Sequence, residues 1–485
     1  MLEIKLQIKK DRGGQLSLEV LFFAAIVVLF ITGFIFLSLT FLKLSVRGFN
    51  KTMAFSVAEA GIEYYRWHLA HAPQDYQDGT GAAGPYIHDY YDKSGIKIGQ
   101  FKLEITPPAP GSTIVKIKST GEVVADSSIE KIIEVTMGIP SFAKYAIAAN
   151  DNMRFGEGTE VFGEVMSNGG IRFDGIAHNL VRSAQATYDD PDHTGGNEFG
   201  VHTHLAPIDP LPPAAVPNRT DVFTVGRQFP VPALDFAGMT QDLATIRSGA
   251  SSSGVYATSS GALGFDLVFS STSQRYSLYR VTALVAAPSG CTNSQNQTGW
   301  GTWSIQTETL IASGTVPANG LFFFEDNLWV RGQINGSRLT VGSGRFPDNV
   351  ATRTNITVNN DLLYTNYTGG DVIALIAQNN INVGLVSEDD LRIDAALVAQ
   401  NGRVGRYYYR PPGGGSQRCS PNHTRQTLTA YGMVGTNQRY GFAYTDNTGY
   451  QDRNLIYDSN LLYGPPPSFP LTSDQYTLIS WEEVK

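Results

Sequence analysis

The longest apolar stretch of the chain lies near its N-terminus. Residues 20–42 carry no charged side chain, and a helix of that length can span the ~30 Å hydrocarbon core of a bilayer. The helical pattern continues beyond it, because no proline occurs in residues 15–72 and Pro73 follows directly. After residue 43, apolar or small side chains recur every three or four positions, which is the spacing of one helix face: Val46, Phe49, Met53, Val57, Ala60, Tyr64 and Trp67. We therefore predict one long helix over residues 15–72 whose first half spans a membrane.

Shorter segments with alternating apolar and polar residues follow a linker rich in glycine, proline and tyrosine. Three of them, 96–106, 112–119 and 128–137, are separated by turn-forming residues. Alternation with a period of two is typical of strands. The pattern predicts a small antiparallel sheet within residues 73–140, packed on the long helix.

The rest of the chain repeats a unit made of a short apolar strand, an asparagine-bearing turn and a second strand. Clear copies occupy residues 146–156, 374–384 and 396–405, and looser copies occupy 165–173 and 323–332. The last two clear copies are offset by 22 residues, about one coil of a β-solenoid. Asparagine and glycine suit the corners because both tolerate positive φ. The alternative is a meander whose hairpins use Asn-Gly turns.

Composition and charge narrow the functional classes. Only 16% of the 485 residues are charged, and 36 basic against 44 acidic side chains give a net charge of −8. That balance speaks against nucleic-acid binding, which normally needs a basic face. Two cysteines exclude a disulfide framework and a cysteine-rich metal scaffold. No P-loop, GxSxG or dinucleotide motif occurs in a convincing context, so we expect no cofactor.

The charges before the apolar stretch predict the orientation of the helix. Lys5, Lys9, Lys10 and Arg12 outnumber Glu3 and Asp11, and such a basic excess holds a terminus in the cytoplasm. The apolar stretch is too long for a secretory signal peptide and lacks a small-residue cleavage site. We therefore expect a single-pass membrane protein with most of the chain outside the cytoplasm.

The segment Gly13-Gly14-Gln15-Leu16-Ser17-Leu18-Glu19 resembles the class III signal of type IV prepilins. The resemblance implies that prepilin peptidase cuts after Gly14, that Gln15 becomes the new N-terminus, and that Glu19 mediates subunit assembly. The usual bacterial signal has Phe or Met where this chain has Gln15, so methylation of Gln15 stays open. Residues 58–63, Ala-Glu-Ala-Gly-Ile-Glu, are similar to PilX-like minor pilins at the same place.

Together these patterns predict a mainly β protein with one long N-terminal transmembrane α-helix, a small pilin-like antiparallel sheet, and a right-handed β-helix or solenoid-like body with an inserted α+β region. The predicted regions are 1–14 as leader, 15–72 as helix, 73–140 as small sheet, 141–180 as first solenoid coils, 181–320 as insertion with a short helix at 235–247, 321–410 as further coils, and 411–485 as a C-terminal β region.

Several groups of side chains are candidates for chemistry. Asp190, Asp192, His193, His202 and His204 crowd into one stretch that also holds Asp189 and Glu198. His202 and His204 would share one face of a strand, as a zinc or copper site requires. Carboxylates and carbonyls could bind Ca²⁺ instead, and a solvated polar loop explains the same residues without a metal.

A second acidic group, Glu388, Asp389, Asp390 and Asp394, would suit a glycosidase if two carboxyls lay ~5–9.5 Å apart. A charged corner between coils is the alternative interpretation. Cys291 and Cys419 would lie outside the cytoplasm, where pairing is allowed, and two free thiols are the alternative.

The sequence favours a non-enzymatic, pilin-like minor or tip subunit of a type IV pilus or related filament. Its expected partners are prepilin peptidase, other pilin subunits, the membrane, and a surface glycan or cell-surface ligand contacted by aromatic loops such as 407–409. The alternatives are a membrane-anchored enzyme acting on polysaccharides and a single-pass surface protein that is never processed.

Overall fold

The computed structural model describes residues 13–109, 111–236, 242–272, 274–472 and 474–484, with side chains from residue 16 onward in the N-terminal helix. The charged residues of the predicted leader, 3–12, lie outside this range. The predicted fold class is confirmed, because the chain is mainly β with one long N-terminal helix and a small antiparallel sheet. Two compact units are formed, one by 13–107, 115–137 and 478–484, the other by 108–114 and 138–477.

The first unit combines the long helix with the small sheet. Helix α1 (Gly13–His71) has 59 residues, which corresponds to about 89 Å at 1.5 Å per residue. The sheet contains β1 (Tyr86–Tyr91), β2 (Lys97–Thr106), β3 (Val115–Val123), β4 (Asp126–Gly138) and, beside β4, the C-terminal strand Thr477–Val484. Strands β1 to β4 pair as antiparallel neighbours. The C-terminal strand joins a sheet formed more than three hundred residues earlier, which no local pattern could indicate.

The face of α1 that packs on this sheet differs from the predicted one. The buried apolar side chains are Ala54, Val57, Ala58, Ile62, Tyr65 and Leu69. Of the predicted stripe only Val57 is buried, whereas Phe49 and Trp67 are more than 60% exposed. The reason is the close approach of α1 to the strands of the small sheet. A Cβ at Gly61 would lie 2.3 Å from Ser119 Oγ, and one at Gly121 of β3 would lie 2.2 Å from the Ala54 carbonyl oxygen.

The second unit is built from many short strands and one helix. Its first strands are β5 (Ile147–Ala149), β6 (Met153–Phe155), β7 (Thr159–Phe162), β8 (Val165–Ser167), β9 (Ile171–Phe173), β10 (Ile176–Ala177), β11 (Val181–Ser183), β12 (Thr187–Tyr188), β13 (Glu198–Phe199), β14 (Val201–His202) and β15 (Arg227–Gln228). Helix α2 (Asp242–Ser253) follows, where a helix at 235–247 was predicted; residues 237–241 lie outside the described range.

The strands after α2 are β16 (Val255–Ala257), β17 (Gly264–Ser270), β18 (Arg275–Leu284), β19 (Ile305–Thr315), β20 (Leu321–Phe324), β21 (Leu328–Ile334), β22 (Arg338–Ser343), β23 (Ile356–Thr357), β24 (Leu362–Tyr364), β25 (Val372–Ala377), β26 (Ile381–Val383), β27 (Asp390–Ala399), β28 (Val404–Arg406), β29 (Thr424–Thr436) and β30 (Gly449–Tyr457). The strand Thr477–Val484 of the first unit is β31.

One continuous ladder of parallel strands runs through this unit, in the order β16, β20, β22, β25, β27, β29, β5, β8, β11, β15. Ala374 pairs with Ala396 and Leu375 with Leu397, which is the 22-residue offset of the sequence repeat. Stacked parallel strands of this kind are the ladder pattern of a solenoid. Its handedness, predicted as right-handed, stays a prediction.

The chain enters this ladder in the middle. It starts at β5, proceeds through β8 and β11 to β15, passes through α2 to the opposite end at β16, and returns until β29 pairs with β5. Strands of the predicted insertion 181–320 therefore lie in the ladder at both of its ends. These strands are two or three residues long at β11, β15 and β16, too short to show a period in the sequence.

Asparagines of the repeat are explained by side-chain hydrogen bonds between neighbouring copies of the repeat. The Asn355 N–H donates to Asn327 Oδ1 (3.1 Å), Asn379 Nδ2 donates to Asn355 Oδ1 (3.1 Å), and the Arg403 N–H donates to Asn380 Oδ1 (2.9 Å). None of these asparagines is among the described residues with positive φ. The repeat therefore selects asparagine for its amide, which satisfies backbone groups of the adjacent copy, and not for a left-handed conformation.

A buried carboxylate near one end of the ladder makes stability depend on pH. Asp266 of β17 is fully buried and accepts from Arg331 Nε (2.9 Å), while Arg331 Nη2 donates to Glu308 (2.9 Å). Burial raises the pKa of Asp266 to about 7, Arg331 opposes the shift and Glu308 adds to it. An unfolded aspartate has a pKa of about 3.9, so between these values the folded state binds more protons.

We expect the melting temperature of the wild type to fall as the pH rises from 5 to 8, because the free energy of unfolding decreases where the folded state holds the extra proton. Asp266→Asn should remove part of this decrease. The stability of the variant relative to the wild type should therefore be higher at pH 8 than at pH 5. Thermal unfolding of both proteins across this range checks the expectation. Parallel pH profiles for the two proteins would contradict it.

Candidate functional site

The N-terminal half of α1 presents an apolar surface of unusual size. Residues 16–49 are exposed apart from the half-buried Ile26, and Phe30 and Phe36 expose about three quarters of their surface. The mean hydropathy of its most apolar window is 3.0. By length and composition this helix can cross a membrane. Its second half, from Ala54 to Leu69, is the part that packs on the small sheet of the same unit.

Glu19 is the acidic group of this surface, whose two basic groups, Lys43 and Arg47, lie near its other end. It lies in the first turns of the described helix with its side chain exposed, and the next charged residue along the chain is Lys43. Gly14 and Gln15 belong to the same helix, whose described side chains begin at residue 16. A single carboxylate on an apolar helix is costly in a membrane unless it is paired, so its position calls for a partner.

The histidine-rich stretch of the second unit is gathered by two short pairs of strands. β14 runs parallel to β9, with His202 opposite Arg172. β13 runs antiparallel to β12, with Glu198 opposite Tyr188. The loop between β12 and β13 carries Asp190 and His193 back over these strands.

The side chains of this stretch converge. Glu198 Oε1 lies 3.1 Å from His193 Nδ1 and 3.4 Å from His204 Nε2, and His202 Nε2 lies 3.6 Å from Asp190 Oδ2. The ring centroids of His193 and His202 lie 4.6 and 5.0 Å from that of His204. We call Asp190, His193, Glu198, His202 and His204 the histidine–carboxylate cluster.

Most of the cluster is removed from water. His202 is fully buried and Glu198 is 2% exposed, while His193 is at the outer edge with its side chain 38% exposed. Within the described part of the chain, both ring nitrogens of His202, Asp190 Oδ2 and Glu198 Oε2 are buried without a hydrogen-bond partner. Burial lowers the pKa of His204, and Arg172 and His202 lower it further against the effect of Glu198.

One predicted metal ligand, Asp192, lies outside the cluster, and one residue of the cluster, Glu198, was not among the predicted ligands. Asp192 forms ion pairs with Arg154 (3.4 Å) and with Arg439, so its carboxylate is engaged outside the cluster. Glu198 takes its place beside the histidines. The sequence signal for Glu198 is weak, because its strand β13 has only two residues and its burial depends on pairing with β12.

The acids of the second group, 388–394, are engaged in separate contacts, and Glu388 Oε1 accepts from Asn360 Nδ2 (3.0 Å). Asp394 is fully buried, and its oxygens accept from Arg392 Nε (2.8 Å), the Tyr364 N–H (3.0 Å) and Tyr367 Oη (2.6 Å). Asp389 pairs with Arg425 (2.9 Å), and Asp390 is exposed. These contacts engage Asp394 and Asp389 in holding neighbouring coils together.

The two cysteines lie together in the structure. Cys291 and Cys419 form a disulfide with Cα atoms 4.7 Å apart and a sequence separation of 128. They pack in a small apolar cluster with Leu385, Tyr407 and Tyr409. Two members of the tyrosine run 407–409 are therefore buried, where exposed aromatic contacts were expected.

Comparison with known proteins gives little sequence information. No protein-family model matches the chain, and no curated protein matches it. Among solved structures, the chain is similar to the crystal structure of the competence-associated pilin ComZ from Thermus thermophilus, with 12% identity, a TM-score of 0.32, and coverage of 90% of this chain and 97% of that chain. This likeness is too low to carry an argument about function, which must come from the residues of the chain itself.

Proposed function

We propose that this protein is a pilin-like subunit of a type IV pilus or related surface filament, processed by prepilin peptidase and assembled through its N-terminal helix. The observation that carries the proposal is Glu19, the single carboxylate of the exposed apolar half of α1, at the fifth position counted from Gln15. The motif 13–19 and the division of α1 into an exposed and a packed half support the same function.

The proposed chemistry of assembly is the pairing of two charges in an apolar layer. Cleavage after Gly14 exposes an ammonium group on Gln15, and Glu19 of a neighbouring subunit neutralises it. Either charge alone is unfavourable in a medium of low dielectric constant, whereas the pair attracts strongly. Pairing therefore selects one register of neighbouring helices, and the exposed apolar side chains of residues 16–49 then pack between subunits.

The size of the second unit favours a minor or tip position. It comprises most of residues 138–477, and each copy in a repeating shaft would have to accommodate that bulk. We propose a non-enzymatic role in which this β-rich unit contacts a surface glycan or another cell-surface ligand. The helix holds the subunit in the cytoplasmic membrane, N-terminus inside, until assembly.

Replacing Glu19 by glutamine tests the assembly role, because the side chain keeps its shape and loses its charge. We expect Glu19→Gln to be cleaved and to accumulate in the membrane, with at least a tenfold smaller share in sheared filaments. The measurement is quantitative immunoblotting of both fractions from cells that also produce the other filament subunits.

Glu59→Gln is the matched control, since Glu59 is an exposed glutamate of the same helix outside the apolar half. This variant should enter filaments like the wild type. If Glu19→Gln entered filaments as efficiently as Glu59→Gln, the charge-pairing account of assembly would be wrong.

A further inference from the structure

We propose that His193, Glu198 and His204 bind one divalent transition-metal ion of the zinc type, and that the adjoining His202 and Asp190 supply the remaining coordination. The site lies within the second unit. It is independent of the proposed filament function, because none of its residues belongs to α1.

The donor atoms have the chemistry and the spacing that zinc requires. Zinc binds imidazole nitrogen and carboxylate oxygen at roughly 2.0–2.2 Å, so two ligands of a tetrahedral centre lie about 3.4 Å apart. Glu198 Oε1 lies 3.1 and 3.4 Å from its two histidine nitrogens. Three imidazoles exclude a calcium-type site, since calcium takes oxygen ligands.

The buried pair next to these ligands is the second observation that points to an ion. His202 is fully buried, yet neither of its ring nitrogens has a hydrogen-bond partner among the described residues. Glu198 Oε2 is in the same condition, and Asp190 Oδ2 has no hydrogen-bond partner, its nearest charged neighbours being His202 Nε2 and Arg172 Nη1 at 3.6 Å. Buried polar groups without partners are rare and costly. A cation held between them would satisfy these atoms together.

The neighbouring positive charges leave Glu198 available for the ion. Arg172 lies 3.6 Å from Asp190 and 2.7 Å from Asp174, so its charge is directed toward those carboxylates. Among the described residues, the ion-pair partners of Glu198 are His193 and His204. The carboxylate of Glu198 is therefore the natural centre of the site, with Asp190 shared between Arg172 and His202.

Binding at this position would fasten a loop to the small parallel sheet formed by β14, β9 and β6. His193 lies in the exposed segment between β12 and β13, whereas His202 lies in β14, which pairs with β9. An ion held by both sides ties the loop to the stacked strands in the way a disulfide would. We therefore expect metal binding to raise thermal stability and to protect this loop from proteolysis.

The test uses the full chain, purified in detergent with a histidine-free affinity tag, stripped with a chelator and titrated with Zn²⁺ at pH 7.5. Calorimetry and elemental analysis after gel filtration should give one zinc per chain. Losing a group that only hydrogen-bonds to a metal ligand costs roughly 10–100-fold in metal affinity, so His193→Gln and His204→Gln should weaken binding at least as much. His193 is partly exposed, so its variant should keep the fold.

His178→Gln is the matched control, because His178 pairs with Glu160 (2.9 Å) outside the cluster. It should bind zinc like the wild type, and zinc should raise the melting temperature of both proteins but not of His204→Gln. The proposal would be overturned if the folded wild type bound less than stoichiometric zinc, or if His204→Gln bound it with wild-type affinity.

Discussion

Replacing both Cys291 and Cys419 by alanine is expected to lower the free energy of unfolding of the second unit by roughly 4–5 kcal/mol in the chain-entropy account. The disulfide joins residues 128 apart, and an open chain of that length has many more unfolded conformations than a closed one. Cys291 and Cys419 are also buried. New hydrogen bonds to water at these two positions therefore cannot offset the loss of the covalent link.

Thermal unfolding of the full chain in detergent, compared with the wild type, measures this loss. The control is thermal unfolding of the wild type in the presence of a reductant. The reductant breaks the disulfide and keeps both sulfur atoms in the apolar cluster. This control should show most of the decrease. A double variant with the same melting temperature as the oxidised wild type would contradict a stabilising disulfide.

The second large effect is expected at the contact between α1 and its sheet. In Gly121→Ala the new methyl group would lie 2.2 Å from the Ala54 carbonyl oxygen and 2.4 Å from the Ala58 backbone nitrogen. Backbone atoms of a helix cannot move aside singly, so α1 must shift as a whole. Overpacking of this kind costs about 1–3 kcal/mol and occasionally more, and we expect the upper end of that range.

Hydrogen exchange of the amides from Ala54 to Leu69 is the direct readout, because loosened packing exposes this half of α1 to local opening. Gly48→Ala is the matched control, since no atom lies within 4 Å of a Cβ at that position of the same helix. It should leave exchange unchanged or slow it, as alanine favours helices by up to ~1 kcal/mol over glycine. Equal exchange rates in Gly121→Ala and the wild type would refute the close approach.

Local sequence patterns predicted the helices and strands better than they predicted which of these elements contact one another. The absence of proline before Pro73 and the alternation in 96–137 gave the long helix and three strands of the small sheet, and the 22-residue offset reappears as the register of β25 and β27. The buried face of α1 was misjudged because a hydrophobic scale ranks Phe49 above Ala58, whereas close packing favours small residues. β31 and the pairing of β29 with β5 depend on contacts hundreds of residues apart.

The candidate sites show the same division between local and distant information. The His-x-His spacing of His202 and His204 indicated a shared face, and the structure brings both into the cluster. Glu198 could not be chosen over Asp192, because the choice depends on Arg154 and on a strand pairing that local sequence does not encode. The motif around Glu19 needs no fold to be recognised, whereas the proposed pairing of Glu19 depends on a neighbouring subunit.

N-terminal peptide mass spectrometry of the protein from membrane and sheared-filament fractions tests the central claim most directly. A pilin-like subunit processed by prepilin peptidase will yield a mature chain that begins at Gln15, in the filament fraction above all. A chain that begins at Met1 or Leu2 in every fraction would contradict processing and leave a permanently anchored surface protein.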